Sequence, residues 1–305
     1  MLELLINLLL TGLLLQAPFG AVKSAVQQLP LAPQKNQAPS GPLRDWSSLS
    51  SGVDISAPCF MVLEPKSGQV LYEKNSGEIR SIASLTKLMT AVVFLNHNLG
   101  WDQTVEIIKD DIKPGAVPDL REGETFSVKD VFSATLIASS NEGAAALARI
   151  SGLSSADFVA EMNQQAVNLF MDQTEFVDPT GLDSGNKSTA KDILKLVQAA
   201  LSREEIKSAV SRKDYTITIL NKNLARKIIS TDLALGEKFS DGANSYYIEA
   251  GKTGYLEQAG YCFVSQVKDS NNRQVLIAVL GSSSTLDRFS DTKSLAYWVF
   301  NNYSW

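Results

Sequence analysis

Apolar residues along this chain fall in runs whose spacing separates a leader, a spacer and a folded unit. Leu4 to Leu15 is a nearly continuous apolar run, long enough for the core of an export signal and short of a comfortable membrane span. Residues 1–25 are therefore expected to be a signal peptide or an N-terminal anchor, although Glu3 stands where a positive charge is usual. Gln16 to Ser56 loses periodicity and gains Gln, Ser, Ala and the prolines Pro30, Pro33, Pro39 and Pro42. That composition predicts a flexible linker over residues 26–56, followed by one folded domain over 57–305. Such an order places the domain outside the cytoplasm, on the periplasmic or cell-wall side, with the N-terminus a candidate membrane tether.

In the folded part, Cys59 to Leu63 and Gln69 to Tyr72 are β-rich runs on either side of Pro65 and Gly68, the pattern of a hairpin. From Leu85 onward, Leu88, Met89, Ala91, Val92, Val93, Phe94 and Leu95 cover nearly every side of a helix, which predicts one inside the protein rather than on it. The middle of the chain reads as helical from Phe126 to Ala138 with Ser127 as cap, breaks at Ser139-Ser140-Asn141, and restarts at Glu142. Further helices are expected from Ser155 to Phe170 and from Ser188 to Leu201, the second capped by Ser188, with a loop at Phe176 to Leu182 between them. Gly260 to Val267 and Val275 to Leu280 then flank a polar turn at Asp269 to Asn272, and a closing helix from Asp287 to Tyr303 carries Phe289, Leu295, Trp298, Val299 and Phe300. Strands at both ends with helices between describe a layered α/β (α+β) unit whose antiparallel sheet is completed by both ends of the chain.

Composition narrows the function more than the fold. With 305 residues, 44% hydrophobic and 20% charged, this is an ordinary globular chain. A net charge of -5 with no basic run argues against nucleic acid and against a polybasic membrane contact. Cys59 and Cys262 are too far apart in sequence to form a metal-ligand pattern. The single histidine, His97, stands where a helix is ending, so it is expected at the helix C-terminus or in solvent. Zinc hydrolases and Ser-His-Asp enzymes both need imidazoles placed at the site. A hydrolase on this chain must therefore activate its nucleophile without histidine, and no metal or cofactor is called for.

Ser84-Leu85-Thr86-Lys87 supplies an alternative. Residues three apart lie on one helical face, so the Ser84 hydroxyl can meet the Lys87 amine, and burial favours the neutral form that accepts a proton. Spacing alone decides nothing, because Ser-x-x-Lys recurs at Ser184/Lys187, Ser188/Lys191, Ser265/Lys268 and Ser290/Lys293. Context does: Ser139-Ser140-Asn141 follows in a helix-helix break, and Lys252-Thr253-Gly254 follows on a strand. Lys66-Ser67-Gly68 imitates the last element but reads as a hairpin turn, as Ser184/Asn186 and Ser270/Asn272 do for the second. Helix, loop and strand in that order form the constellation of penicillin-recognising serine enzymes. Ser84 and Lys87 are then nucleophile and base, Ser139 relays a proton to the leaving group and Asn141 holds the substrate amide. Lys252 and Thr253 take a carboxylate, Gly254 allows close approach to the strand, and the backbone N–H groups of Ser84 and Tyr255 form an oxyanion hole.

The chain thus resembles the D-alanyl-D-alanine carboxypeptidases among the low-molecular-mass penicillin-binding proteins. Ile82 to Thr90, Asp178 to Leu182, Ser188 to Ala190 and Gly251 to Tyr255 carry the likeness, which extends over residues 57–303. One departure is Ser140, where glycine is more usual. The resemblance implies a β-lactamase/DD-peptidase-like fold, with a five-stranded antiparallel sheet beside a helical lobe and the site between them. It also implies peptidoglycan stem peptides ending in D-Ala-D-Ala as substrate and β-lactam antibiotics as covalent inhibitors. By the same resemblance the Val275 to Leu280 strand separates Cys59 from Cys262, so the thiols are expected to stay unpaired. A bulky Tyr255 beside the oxyanion hole favours release of a free D-alanine, with cleavage of cross-links by a DD-endopeptidase as the alternative. A β-lactamase is less favoured because the sequence has no Glu-x-x-Leu-Asn segment.

Overall fold

The computed structural model describes residues 41–48, 50–113, 119–240 and 244–305; the expected leader and most of the expected linker, residues 1–40, lie outside them. Six antiparallel strands form the main sheet: β1 (Cys59–Leu63), β2 (Val70–Lys74), β3 (Lys238–Ser240), β4 (Ser245–Leu256), β5 (Gly260–Asp269) and β6 (Gln274–Ser282). Their spatial order is β3-β4-β5-β6-β1-β2, so β1, from the start of the domain, pairs with β6, from its end. The resemblance implied five strands, and the sixth is the three-residue edge β3, whose Phe239 ring lies 5.3 Å from that of Tyr246 on β4.

Both faces of this sheet are covered, and the period-2 alternation of the strands sorts side chains between them. Cys59, Met61 and Leu63 of β1 belong to the core shared with the helical lobe, while Phe60 and Val62 point into a second core with Phe289, Leu295, Val299 and Phe300 of the closing helix. Burial on both sides explains why β1 and β6 read as continuous apolar runs rather than alternating ones.

Seven α-helices occur among the described residues: α1 (Thr86–His97), α2 (Val128–Ile137), α3 (Asn141–Ile150), α4 (Ser155–Asn168), α5 (Ala190–Leu201), α6 (Glu204–Val210) and α7 (Asp287–Asn302). Every residue of α1 from Thr86 to Phe94 is buried, as its all-round apolar surface predicted. Ser127 caps α2 by accepting from Asp130 N. For α5 the expected cap moves by one residue: Thr189 accepts from Asp192 N, and Ser188 is drawn instead into a short strand pairing with Arg80. A hairpin that the sequence pattern left unassigned, Asp214–Ile219 with Leu224–Ile229, is pinned by Arg226, which donates to both oxygens of the buried Glu124 at 2.7 Å.

The linker boundary also moves. Of the residues assigned to a flexible spacer, 41–48 and 50–56 lie on the domain: Leu43–Arg44 pairs with Tyr303–Ser304, and the Arg44 guanidinium sits 4.3 Å from the Trp298 ring centre. Trp298 Nε1 donates to Ser50 Oγ at 2.8 Å, and Asp291 accepts from Ser56 and Ala57. These contacts are polar and aromatic, so the segment shows no apolar periodicity although it is held in place.

Candidate active site

Ser84 lies in a single 3-10 turn, Ala83–Leu85, that runs directly into α1. Ala83 takes a left-handed φ of 47°, a conformation that costs a non-glycine residue on the order of 1–3 kcal/mol and recurs at functional sites. One turn on, Lys87 is fully buried and its Nζ lies 2.8 Å from Ser84 Oγ. Loss of hydration pulls the Lys87 ammonium down to about 7, against the opposing charges of Asp178 and Glu142. The other two neighbours of Nζ are Asn141 Oδ1, at 2.8 Å, and the carbonyl of Thr180. Both can only accept. A neutral amine has two N–H bonds and one lone pair, so giving its hydrogens to Asn141 and Thr180 turns the lone pair toward the Ser84 hydroxyl.

The second element hangs from the end of α2. Ser139 takes a φ of 62°, and Ser140, at φ -57°, caps α3 by accepting from Gly143 N at 3.0 Å. The left-handed turn therefore falls on Ser139, and the serine in place of the usual glycine costs no backbone strain. Asn141 opens α3 with its oxygen on Lys87, which leaves its Nδ2 for another partner.

Lys252, Thr253 and Gly254 lie on β4, paired with Val264, Phe263 and Cys262 of β5. Lys252 is 2% exposed, and its Nζ donates to Ser139 Oγ at 2.7 Å and to the Thr253 carbonyl at 3.0 Å. An ammonium has three donors, so one is left for the cleft. Its proton affinity is held well below the ordinary lysine value by burial first, then by Lys87 and Arg288, with Asp232 opposing them. The Thr253 hydroxyl donates to Thr231 Oγ1 at 2.6 Å. Gly254 has a reason within the protein as well: a Cβ there would lie 2.9 Å from the Ile82 carbonyl oxygen and 3.2 Å from Ser84 N. The glycine lets the strand press against the nucleophile's own backbone. Tyr255 is half-exposed and its ring stacks on Tyr261, with ring centres 4.4 Å apart.

All eight residues singled out by sequence thus fall on one stretch of the molecule formed by the Ala83–Leu85 turn and the start of α1, the α2–α3 break and the start of α3, and β4. The imitators do not join them. Glu64 accepts from the backbone of Lys66 and Ser67 and closes that triplet as a turn, and His97 pairs with Glu161 of α4 at 2.7 Å. Sequence reasoning missed Thr180, Thr231 and the role of Asp178, which organises the loop carrying Thr180. Asp178 accepts from the N–H groups of Thr180, Gly181 and Asp183 and from Asn186 Nδ2. Burial raises the Asp178 carboxyl, and these bonds outweigh burial and leave it lowered. The Asp178-Pro179-Thr180-Gly181 stretch carried a turn signal, but a carbonyl partner for a lysine leaves no mark on residue type.

A serine beside a buried lysine amine, with a second serine, an amide and a second lysine converging on it, defines a serine hydrolase that works without histidine on a layered α/β fold. The chain belongs to the D-alanyl-D-alanine carboxypeptidase family, whose signature matches residues 46–284. It is a serine peptidase. A D-alanyl-D-alanine endopeptidase of Haemophilus influenzae is 32% identical over 241 residues, 78% of this chain and 80% of that one. The D-alanyl-D-alanine carboxypeptidase DacF of Bacillus subtilis is 29% identical over 278 residues, 87% of this chain and 68% of its own. Among solved structures, penicillin-binding protein D2 of Listeria monocytogenes in its cefotaxime-bound form superposes with a TM-score of 0.70 at 33% identity, over 82% of this chain and 100% of that one.

Proposed function

We propose that this enzyme removes the terminal D-alanine of peptidoglycan stem peptides through an acyl-enzyme on Ser84. The observation that carries the reading is the environment of Lys87 Nζ, whose two acceptors, Asn141 Oδ1 and the Thr180 carbonyl, leave the lone pair for Ser84. Ser84 Oγ attacks the penultimate D-Ala carbonyl and its proton passes to Lys87. Oxyanion charge is met by the N–H groups of Ser84 and Tyr255. Ser139, bonded to Lys252, hands a proton to the departing amine; the net transfer is from the Ser84 hydroxyl to the released D-alanine. Asn141 Nδ2 holds the substrate amide, while the terminal carboxylate is taken by Lys252 and by Thr253, whose single hydroxyl hydrogen turns to it from Thr231 Oγ1. Water then hydrolyses the ester.

A β-lactam presents a strained amide and a carboxylate in the same relation, so it acylates the same serine; the Listeria relative was solved with cefotaxime bound. Intact-mass analysis with penicillin should show one adduct, absent from Ser84→Ala. An adduct that persists in that variant overturns the assignment of the nucleophile.

The second reading, endopeptidase cleavage of cross-links, draws on the Haemophilus influenzae relative of that name. The two differ in the size of the leaving group. Tyr255, braced on Tyr261 beside Gly254, crowds a branched amine and favours the carboxypeptidase. Offered a cross-linked muropeptide dimer and a pentapeptide monomer together, the enzyme should release D-alanine from the monomer faster than it cuts the dimer; the reverse order establishes the endopeptidase. The apolar run at Leu4 to Leu15 supports an exported or tethered enzyme on the wall side of the membrane, which cell fractionation tests.

A further inference from the structure

Arg288 is a buried cation that none of these steps uses. It is 7% exposed and stands second in α7, where the positive end of the helix dipole disfavours a cation. No ion pair holds it among the described residues. Asp232, the carboxyl that favours its charge, accepts from Ala234 N through Oδ1, and its Oδ2 has no hydrogen-bond partner among the described residues. Arg288 Nε has none there either. A charge buried without a paired anion is costly, so stability does not account for this residue.

Its guanidinium is nevertheless aimed. Cζ lies 4.9 Å from the Phe289 ring centre and 5.8 Å from that of Tyr261, within the range of cation–π attraction. Nη1 donates to the Gly254 carbonyl oxygen at 3.3 Å. That oxygen belongs to the peptide group joining Gly254 to Tyr255, and the N–H of the same group is one of the two oxyanion donors. A trans peptide is planar and sends its C=O and its N–H in opposite directions. α7 lies over β5 and β6, so the oxygen is turned to the β5 side of β4 and the Tyr255 N–H to the other. On that other side β3 pairs only with Ser245–Tyr247, which leaves the edge of β4 at Tyr255 without a strand partner among the described residues. The second donor is close by: Ser84 N lies 3.2 Å from where a Cβ on Gly254 would stand. A hydrogen bond from a cation to a peptide oxygen draws electron density from the N–H of that peptide, strengthens it as a donor and fixes the peptide plane. An oxyanion donor is worth most when it is already held where the charge will form.

We propose that Arg288 is a positioning residue for the oxyanion hole: its Nη1, bonded to the Gly254 carbonyl, sets and polarises the peptide whose Tyr255 N–H meets the oxyanion. This rests on the acyl-enzyme reading above. In this role Arg288 acts through the peptide and touches no substrate atom. Phe289 and Tyr261 hold the guanidinium, and Tyr261 also stacks on Tyr255, so one aromatic ring braces both the cation and the residue it serves.

The test compares wild type with Arg288→Gln, which removes the charge and shortens the reach of the donor. Loss of a whole oxyanion donor lowers kcat by about 100- to 1000-fold, so loss of its support should lower kcat by about 10- to 100-fold and leave KM within about twofold. The factor should be the same for a peptide ending in D-Ala-D-Ala as the free acid and for its C-terminal amide, because both present the same carbonyl. In the penicillin acyl-enzyme the ester carbonyl occupies the oxyanion hole, where hydrogen bonds lower its infrared stretching frequency. That band should move to higher frequency in Arg288→Gln. An unmoved band overturns the role, and a loss confined to the free acid would make Arg288 a carboxylate ligand instead. Should the variant not fold, wild type still decides: an Nη1 fixed on the Gly254 oxygen slows rotation about the Cζ–Nε bond, so nitrogen NMR of arginine-labelled enzyme should resolve the two Nη atoms of Arg288. A single averaged signal overturns the proposal. Wild type that is acylated by penicillin but turns over neither peptide sinks the D-alanine-releasing reading and leaves the infrared test standing; wild-type turnover with an unaffected variant sinks only the part played by Arg288.

Discussion

Lys252 Nζ donates to Ser139 Oγ across 2.7 Å, which makes the second and third sequence motifs one hydrogen-bonded unit. Removing that hydroxyl strips the leaving amine of its proton donor and leaves a buried ammonium short of an acceptor. Ser139→Ala should lower kcat for D-alanine release by about two to four orders of magnitude, the usual weight of a general acid or base. Acylation by penicillin should be less affected, because strain in the four-membered ring drives the C–N bond to open even though its nitrogen still takes up a proton. Stopped-flow acylation beside steady-state peptide hydrolysis separates the two; equal losses would mean that Ser139 serves the attack itself.

Lys87 accepts a proton only when neutral, and its ammonium is held down at about 7 by burial. The rate of acylation should therefore rise as pH increases through about 7 and fall below it, because acid fills the lone pair that faces Ser84. Lys87→Arg, which cannot deprotonate at working pH, should abolish acylation. A flat profile across this range, or near-normal acylation by the arginine variant, would show that another group is the base.

Asp178 acts one step further out, through the loop whose Thr180 carbonyl faces Lys87. Asp178→Ala frees several buried or half-buried N–H groups at once, at about 1–3 kcal/mol for each that stays unsatisfied. Thermal unfolding should show a lowered Tm. Acylation should slow by more than the loss of folded protein explains, because Lys87 loses a fixed acceptor. A lower Tm with unchanged acylation per folded molecule would make Asp178 a purely structural residue.

Cys59 on β1 and Cys262 on β5 are both buried and unpaired, with β6 between their strands. Burial holds the Cys262 thiol up at about 11 and raises that of Cys59 as well, so little thiolate is present at neutral pH. Native protein should resist thiol reagents, and denaturation without reductant should release two reactive thiols. Finding none after denaturation would contradict the strand order.

The reach of the sequence follows from what kind of information residue type carries. Residues proposed to act through their own chemistry were legible: Ser84, Lys87, Ser139, Asn141, Lys252 and Thr253 stand in short motifs whose order already implied helix, break and strand. Runs buried on every side, such as α1 and β1, were legible because burial leaves no room for polar residues. Tertiary structure decided what depends on a partner remote in sequence. The Thr180 carbonyl that orients Lys87 is a backbone atom every residue possesses. Ser50 and Ser56 are held by Trp298 and Asp291 from the far end of the chain, so the composition around them reads as a spacer. Asp232 sits in a polar stretch that looks like an ordinary turn, and the fold alone buries its carboxyl against Gly251. Local pattern records what a residue prefers to be next to water or next to apolar atoms; it holds no record of which charge, across the core, it will face.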